Sequence, residues 1–188
     1  MSHRSSFRQP HAVSFLLASA FCLAAIFVGT RLNAAVPDQW PHPRGPQFDG
    51  HADAGAIQLP FKGGTAPILW MMPIEGGYSG FAVAGSNVYT QIQTEAGQFV
   101  ICLDLDTGRE LWRHRYGAPW NRDGVYPGPY ASPAISGDRV YFTGCTGQIG
   151  SLDRHSGKVI WAHDLVKVFN VELTPFGYAC TPLILDNT

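Results

Sequence analysis

Hydrophobic positions beyond residue 66 come in short runs that lack a helical period. The first four runs lie near Phe81–Ala84, Val88–Gln93, Phe99–Leu103 and Glu110–Arg115, and each is rich in β-branched and aromatic side chains. Gly, Asn, Asp or Ser bounds each run, which is typical of strands joined by tight turns. No segment combines the apolar spacing of a helix with helix caps. The pattern therefore predicts an all-β chain.

The strand pattern recurs about fifty residues further along the chain. Cys102–Trp112 aligns with Ser151–Trp161 at a constant offset of 49 residues, with identical Leu, Asp, Gly and Trp. A third copy opens at Thr181–Ile184, which matches Ser132–Ile135 at the same offset of 49. Four antiparallel strands repeated at this spacing describe the blades of a β-propeller.

The repeated motif has a mechanical interpretation. An Asp at the end of the third strand can accept hydrogen bonds from the amides of the following turn. A Gly supplies the positive φ that such a hairpin needs, and a Trp four residues later can pack against a neighbouring blade. The residues assigned to this structural motif are Asp104, Thr107, Gly108, Trp112, Asp153, Ser156, Gly157 and Trp161.

The spacing of Asp, Thr-Gly and Trp resembles the pyrroloquinoline quinone (PQQ) repeat of quinoprotein alcohol dehydrogenases and their cofactor-free BamB-like relatives. The opening residues Trp40, Arg44, Gly45 and Pro46 are similar to the Trp-x-x-x-Arg-Gly-Pro start of secreted PQQ-like proteins. The resemblance implies a β-propeller of PQQ-repeat type, with about two complete four-stranded blades and partial blades of an incomplete ring. It also implies a longer protein of which this chain is the amino-terminal portion.

The amino end has the pattern of a secretory signal peptide. Residues 1–35 carry three basic residues and no acidic one around an apolar centre at residues 13–28, and small residues follow. An uncleaved membrane anchor is the alternative. Either way the remaining chain is expected to be exported, to the periplasm or beyond the cell. The further expected divisions are an irregular lead-in at 36–66 and repeats at 67–188, with blades at about 78–116 and 130–165 and a third begun at 178–188.

Composition narrows the classes of partner. Charged residues are only 14% and hydrophobic residues 45%, so the chain can bury a core and is not intrinsically disordered. Beyond residue 35 there are ten basic against fourteen acidic residues and no basic stripe. This excludes a basic surface that would bind nucleic acid or anionic lipids. Contact with a membrane is therefore expected only through an uncleaved signal segment.

The three cysteines beyond the signal segment, Cys102, Cys145 and Cys180, have spacings unlike those of zinc ligands. They are interpreted as small buried strand residues, with one disulfide plus a free thiol as the alternative. Asp104–Gly108 resembles the start of a calcium loop but lacks the distal Glu, so the turn interpretation is favoured. No metal-binding residue is assigned.

Other candidate groups also have structural interpretations. His114 and His163 occupy equivalent places after each Trp and are expected on solvated strand ends; His155 is a third candidate ligand or base. Residues 144–150 have a glycine at every third position, but no helix follows to hold a phosphate, which favours a hairpin. Residues 126–130, Tyr-Pro-Gly-Pro-Tyr, form a rigid interblade loop that could present aromatic rings to a ligand. No catalytic residue is assigned, and the cofactor-binding residues are unknown.

Three functions fit this scaffold. The favoured one is a non-catalytic binding or assembly propeller whose blade loops contact a protein, peptide or polysaccharide, without a cofactor. The alternative is a PQQ- and calcium-dependent quinoprotein dehydrogenase that oxidises alcohols or sugars. The resemblance implies that such enzymes carry adjacent cysteines and a calcium-binding Glu, Asn and Asp set, whereas no two cysteines are adjacent here. A structural module fused to another domain is the third.

Overall fold

The structure is a computed structural model that describes residues 39–52, 64–122 and 126–185. The predicted signal peptide at residues 1–35 lies outside the described residues.

Two antiparallel sheets account for all the strands in the described ranges. The first sheet has five strands in sequence order: β1 Gln39–Trp40, β2 Ala82–Ala84, β3 Asn87–Thr94, β4 Gly97–Asp104 and β5 Glu110–Gly117. The second has four strands in sequence order: β6 Ala134–Ser136, β7 Arg139–Thr143, β8 Gln148–Asp153 and β9 Val159–Asp164. Strands β2–β5 and β6–β9 are two copies of one four-stranded unit. This confirms the predicted fold class, two successive blades of a β-propeller.

The two sheets pack face to face through the central strands. Strand β4 is buried on both faces, because Val100 and Cys102 point to one side and Ile101 and Leu103 to the other. The first side contributes to one cluster with the second sheet: Ala82, Ala84, Tyr89, Val100, Cys102, Ile135, Val140, Phe142 and Leu152. The opposite side of the first sheet is covered by Trp70 and Met72. The apolar runs of the sequence therefore form the walls between neighbouring blades.

The first strand of each unit lies on the inner side of the arrangement. Strands β2 and β6 contact each other, whereas a cleft of about 430 Å³ lies between the outer strands β5 and β9. Sheets that converge at their first strands and diverge at their last are radial, as blades around an axis must be. The edge of β2 that lies away from β3 consequently faces the axis.

Two features differ from the sequence expectation. The lead-in segment is not wholly irregular, since β1 adds to the inner edge of β2, with Gln39 opposite Ala84 and Trp40 opposite Val83. A two-residue strand is too short to show alternation. A helix was not expected, yet α1 spans Leu165–Phe169, where the Asp164 carboxylate accepts from the Lys167 amide. One turn of helix leaves no periodic signal. Within the described ranges, no helix has the length and apolar content to cross a membrane.

Candidate functional site

The turn between the third and fourth strands is built in the same way in both repeats. The Asp104 carboxylate accepts from the Thr107 amide at 2.9 Å and from the Thr107 hydroxyl at 2.6 Å. The Asp153 carboxylate accepts from the Ser156 amide at 2.8 Å and the Ser156 hydroxyl at 2.6 Å. The side-chain hydrogen bond is the main reason that the pKa of each carboxyl lies below its ordinary value. Both carboxylates are thereby engaged within their own turns.

The glycine of each motif turn is required for two reasons. Gly108 and Gly157 have φ angles of +70° and +69°, which disfavour any residue with a Cβ. Each also lies under an indole ring, since a Cβ on Gly108 would be 2.5 Å from Cε3 of Trp70. A Cβ on Gly157 would be 2.6 Å from Cε3 of Trp112. Only glycine allows the ring to approach the turn this closely.

Each tryptophan also donates a hydrogen bond to the turn of the following repeat. Nε1 of Trp70 donates to the Leu105 carbonyl at 2.7 Å, and Nε1 of Trp112 donates to the Arg154 carbonyl at 3.0 Å. Leu105 and Arg154 follow the motif Asp directly, so the two contacts are equivalent. Trp70 thus occupies the place of a motif Trp although residues 68–70 are not in a strand.

Trp161 occupies the same position in the second sheet as Trp112 does in the first, but no motif turn of the described residues packs against it. It lies across from Tyr141 with ring centroids 6.3 Å apart, and Trp112 lies across from Tyr89 at 5.9 Å. The described part of the chain contains no third motif turn to lie against Trp161. We call the contact of a Trp with the motif turn of the next repeat a seam. Two seams are formed, by Trp70 and by Trp112, and Trp161 presents the side chain that a third seam would use.

A buried tyrosine reinforces the seam at Arg154. The Tyr89 hydroxyl donates to the Arg154 carbonyl at 3.2 Å, so this carbonyl accepts from two side chains of the first sheet. Burial raises the pKa of Tyr89 to about 12. The phenol therefore remains a donor throughout the physiological pH range.

Hydroxyl groups link the segments that lead into the inner strands, and these contacts were not predicted from the sequence. The Gly80 amide donates to Oγ of Ser132 at 2.8 Å, and the Ser132 amide donates to Oγ1 of Thr181 at 3.1 Å. These three residues are equivalent in the repeat, at offsets of 52 and 49. The alignment of Ser132–Ile135 with Thr181–Ile184 contained this signal, because a hydroxyl residue opens both segments.

Buried glutamines hold the connection between the two sheets, and these were also missed. The amide nitrogen of Gln91 donates to the Ala131 carbonyl at 2.7 Å, and that of Gln98 donates to the Ala118 carbonyl at 2.8 Å. The side chain of Gln93 accepts from the Trp120 amide at 2.6 Å. Polar residues inside otherwise apolar strands were the available signal. The described parts of the connection, residues 118–122 and 126–133, are thereby fixed to the first sheet.

Tyr126 and Tyr130 of this connection form a cluster with Tyr78, and Tyr130 is its partly buried member. The ring of Tyr78 lies 5.6 Å from that of Tyr126 and 6.1 Å from that of Tyr130. Tyr78 is 58% exposed and Tyr126 is 73% exposed. The loop is held by the Tyr78 amide, which donates to the Pro129 carbonyl at 2.8 Å, and by the Tyr130 hydroxyl, which donates to the Tyr126 carbonyl. We call Tyr78, Tyr126 and Tyr130 the tyrosine cluster.

The tyrosine cluster and the motif turns lie at opposite ends of the sheets. Strand β5 begins just after the first motif turn and ends at Gly117, where the connection that carries Tyr126 and Tyr130 begins. The scaffold of seams and glutamine contacts thus presents the tyrosine cluster at the end of the sheets opposite the motif turns.

Of the three candidate histidines, His114 and His163 line the cleft between β5 and β9, whereas His155 lies apart in the second motif turn. His114 is half-buried beside Phe142, with ring centroids 6.1 Å apart, and burial lowers its pKa. It lies within β5 and is partly buried, so it does not sit on the solvated strand end that was expected. His155 lies in the second motif turn 3.4 Å from Asp138, and His163 is exposed beside Trp161. Across the described ranges no three His, Cys, Asp or Glu side chains are grouped as metal ligands would be.

The cysteines only partly fit the expectation of buried strand residues. Cys102 is buried on β4, but Cys145 is buried in a turn and Cys180 is exposed; all three are free thiols. Burial raises the pKa of Cys102 to about 11 and that of Cys145 to about 12. The two buried thiols are consequently unreactive at neutral pH.

Successive four-stranded sheets joined by Trp–Gly seams define a PQQ-repeat propeller protein. Residues 61–174 match the family model described as outer membrane protein assembly factor BamB, and the chain belongs to this family. The predicted resemblance is thereby confirmed.

Relatives in this family include both enzymes and assembly proteins. A quinoprotein ethanol dehydrogenase from Pseudomonas putida is 34% identical over 62 residues, which cover 33% of this chain and 10% of that enzyme. The crystal structure of BamB from Moraxella catarrhalis is 26% identical, with a TM-score of 0.32, over 44% of this chain and 22% of that one. A europium-containing methanol dehydrogenase is 24% identical, with a TM-score of 0.37, over 47% of this chain and 16% of that one. The chain thus spans a minor part of each.

Proposed function

We propose that the protein is an exported, non-catalytic scaffold that binds a protein partner through loops at one end of its propeller. The tyrosine cluster carries this proposal. Tyr78 and Tyr126 expose large rings on a loop that hydrogen bonds and two prolines hold in place. Tyrosine combines contact area, a polar hydroxyl and few rotatable bonds, and for these reasons it is enriched where proteins bind one another.

The motif side chains are engaged in structural contacts, which supports a scaffold function over a catalytic one. Asp104 and Asp153 accept hydrogen bonds from their own turns, and their lowered pKa makes them poor proton carriers near neutral pH. The indole of Trp112 is engaged in the seam between the sheets. The repeated Asp and Trp side chains thus stabilise the propeller. We therefore assign partner binding to the loops.

The proposed location follows from the leader and from the family. Residues 1–35 have the pattern of a signal peptide, and the family model carries the description of an outer membrane protein assembly factor. We therefore place the protein in the periplasm or outside the cell, with a protein of the cell envelope as its partner. A peptide or a polysaccharide is the other class of ligand that blade loops accommodate.

Site-specific photo-crosslinking tests the proposal. A photoreactive phenylalanine is placed at position 126 or, as the control, at the exposed position 158 in the second motif turn. We expect one recurrent envelope protein to crosslink from position 126, not from position 158, and its yield to fall when Tyr78 is changed to Ala. Equal labelling from both positions, or no defined adduct, would contradict the proposed surface.

The second candidate is a PQQ- and calcium-dependent dehydrogenase, which the 34% identity to the ethanol dehydrogenase favours. The residues available here do not fit that cofactor, because the chain has no adjacent cysteines and its described part has no grouped set of acidic ligands. Titration of the protein with PQQ and calcium distinguishes the two functions: the scaffold predicts neither bound PQQ nor dye-linked alcohol oxidation, and either result would favour the enzyme.

A further inference from the structure

The rings of the tyrosine cluster are tilted against one another. Tyr78 meets Tyr126 at an interplanar angle of 59° and Tyr130 at 32°, with ring centroids 5.6 and 6.1 Å apart. The cluster is therefore a row of ridges with shallow grooves between them, and not the flat platform on which a sugar ring would stack. The ridges are spaced by about twice the rise of one residue in a polyproline II helix, roughly 3.1 Å, so that each ridge can contact a dipeptide of such a helix.

The segments that carry the cluster hold no charged side chain. Residues 76–80 read Gly-Gly-Tyr-Ser-Gly, and residues 126–130 read Tyr-Pro-Gly-Pro-Tyr. A charged side chain pressed against these rings would lose hydration without finding an opposite charge on either segment. The surface therefore favours a partner segment that is itself uncharged.

The main chain of these segments is already engaged within the fold. The Tyr78 amide donates to the Pro129 carbonyl, and the Gln93 amide donates to the Gly76 carbonyl, both at 2.8 Å. Pro127 and Pro129 have no amide hydrogen to offer. The loop thus lacks a run of free main-chain groups to which a partner strand could add, and recognition is left to its side chains.

Two hydroxyls of the cluster are available as hydrogen-bond donors. Within the described residues, the hydroxyls of Tyr78 and Tyr126 have no hydrogen-bond partner, whereas the Tyr130 hydroxyl donates to the Tyr126 carbonyl. A polyproline II segment forms no internal hydrogen bonds, so its carbonyls are free to accept. Proline residues bring these carbonyls without an amide donor of their own, and such a segment leaves no donor unpaired at the contact.

We propose that the tyrosine cluster binds a proline-rich segment of the partner protein in the polyproline II conformation. Its proline rings pack between the tilted tyrosine rings, and its carbonyls accept from the Tyr78 and Tyr126 hydroxyls. The segment is extended before it binds, so it loses little conformational entropy on an equally restricted loop. This inference rests on the proposed scaffold function and specifies the chemistry of the partner at that surface.

Fluorescence anisotropy with labelled octaproline tests the proposal on the full chain. The control peptide has the same length and alternates glycine with serine, which gives it no preformed helix. We expect octaproline to bind more tightly than the control peptide, and Tyr126→Ala to weaken its binding at least about tenfold. Tyr126→Phe keeps the ring and removes the hydroxyl, and it should weaken binding about threefold. Ile160→Ala removes an exposed apolar side chain near the second motif turn, at the other end of the sheets, and should leave binding unchanged.

Three results would overturn the proposal. These are equal binding of the two peptides, equal affinity of wild type and Tyr126→Ala, and binding of maltoheptaose in place of octaproline, which would assign the cluster to a polysaccharide. Tyr126 is 73% exposed, so its variants should unfold at the wild-type temperature, and Tyr126→Phe carries the test if Tyr126→Ala does not fold.

The proposal and the scaffold function fail in different ways. If octaproline does not bind while position 126 still crosslinks an envelope protein, the scaffold function stands and the proline-rich partner is wrong. Loss of both results would contradict the scaffold function itself.

Discussion

Trp112 joins the two sheets by lying on Gly157 of the following repeat. Its Nε1 donates to the Arg154 carbonyl at 3.0 Å, and its ring covers the glycine so closely that a Cβ there would be 2.6 Å from Cε3. Trp70 makes the same pair of contacts with Leu105 and Gly108. The motif Trp and the motif Gly therefore contact each other across neighbouring repeats. Each repeat packs its Trp on the Gly of the next repeat, and its own Gly is covered by the Trp of the previous one.

Gly157→Ala should destabilise the protein more than Gly137→Ala does. Both positions have positive φ, +69° and +53°, but nothing lies within 4 Å of a Cβ at position 137. The control substitution should cost about 1 to 2 kcal/mol from its backbone conformation alone. Displacement of the indole should add about 1 to 3 kcal/mol at position 157. Urea unfolding followed by tryptophan fluorescence measures the difference, and equal losses would mean that the ring moves away freely.

Trp112→Ala and Trp161→Ala should have unequal effects in the 188-residue chain. Removal of the Trp112 indole opens a cavity at the seam and should cost about 3 kcal/mol, the lower end for a large aromatic ring because it is only partly buried. Trp161 has no motif turn over it within the described residues, so its loss should cost clearly less. Thermal unfolding of the two variants provides the comparison. A loss at Trp161 as large as that at Trp112 would show that another segment covers it.

Local repetition made the blades predictable. The aligned segments Cys102–Trp112 and Ser151–Trp161 carry parts of the third and fourth strands and the turn between them, so this half of each unit follows from one alignment. The reciprocal contact was not predicted, since nothing in a single repeat states that its Gly is covered by the Trp of the repeat before it. That relationship depends on the angle between successive sheets, which is a property of their packing.

The polar contacts that hold the connection between the two sheets were the least predictable part. Gln91 and Gln98 lie in apolar strands and bond to carbonyls 40 and 20 residues further along the chain. Ser132 accepts from an amide 52 residues earlier. Sequence patterns report neighbours along a strand, and such distant pairs leave no periodic trace. The tyrosine loop was recognisable because Pro and Gly restrict it locally, but its third member, Tyr78, joins it only through the fold.

Acid should weaken the motif turns through Asp104 and Asp153. The pKa of each lies below the ordinary 3.8 in the folded protein, chiefly because of the hydrogen bonds from Thr107 and Ser156. A group with a lowered folded pKa stabilises the fold above its unfolded pKa and loses this contribution as pH falls through the folded value. We therefore expect wild type to exceed Asp104→Asn in stability at pH 7 and the gap to narrow below about pH 4. Chemical denaturation from pH 3 to 7 tests this, and a gap independent of pH would contradict it.

Thiol labelling should distinguish Cys180 from the two buried cysteines. Cys180 is exposed, whereas Cys102 and Cys145 are fully buried and burial raises their pKa to about 11 and about 12. At pH 8 an alkylating reagent should therefore modify Cys180 rapidly and the other two only as fast as the protein opens. Peptide mapping by mass spectrometry resolves the three sites, and unfolding in urea, where all three should react at similar rates, is the control. Rapid modification of Cys102 in the native protein would mean that the wall between the two sheets is open to solvent.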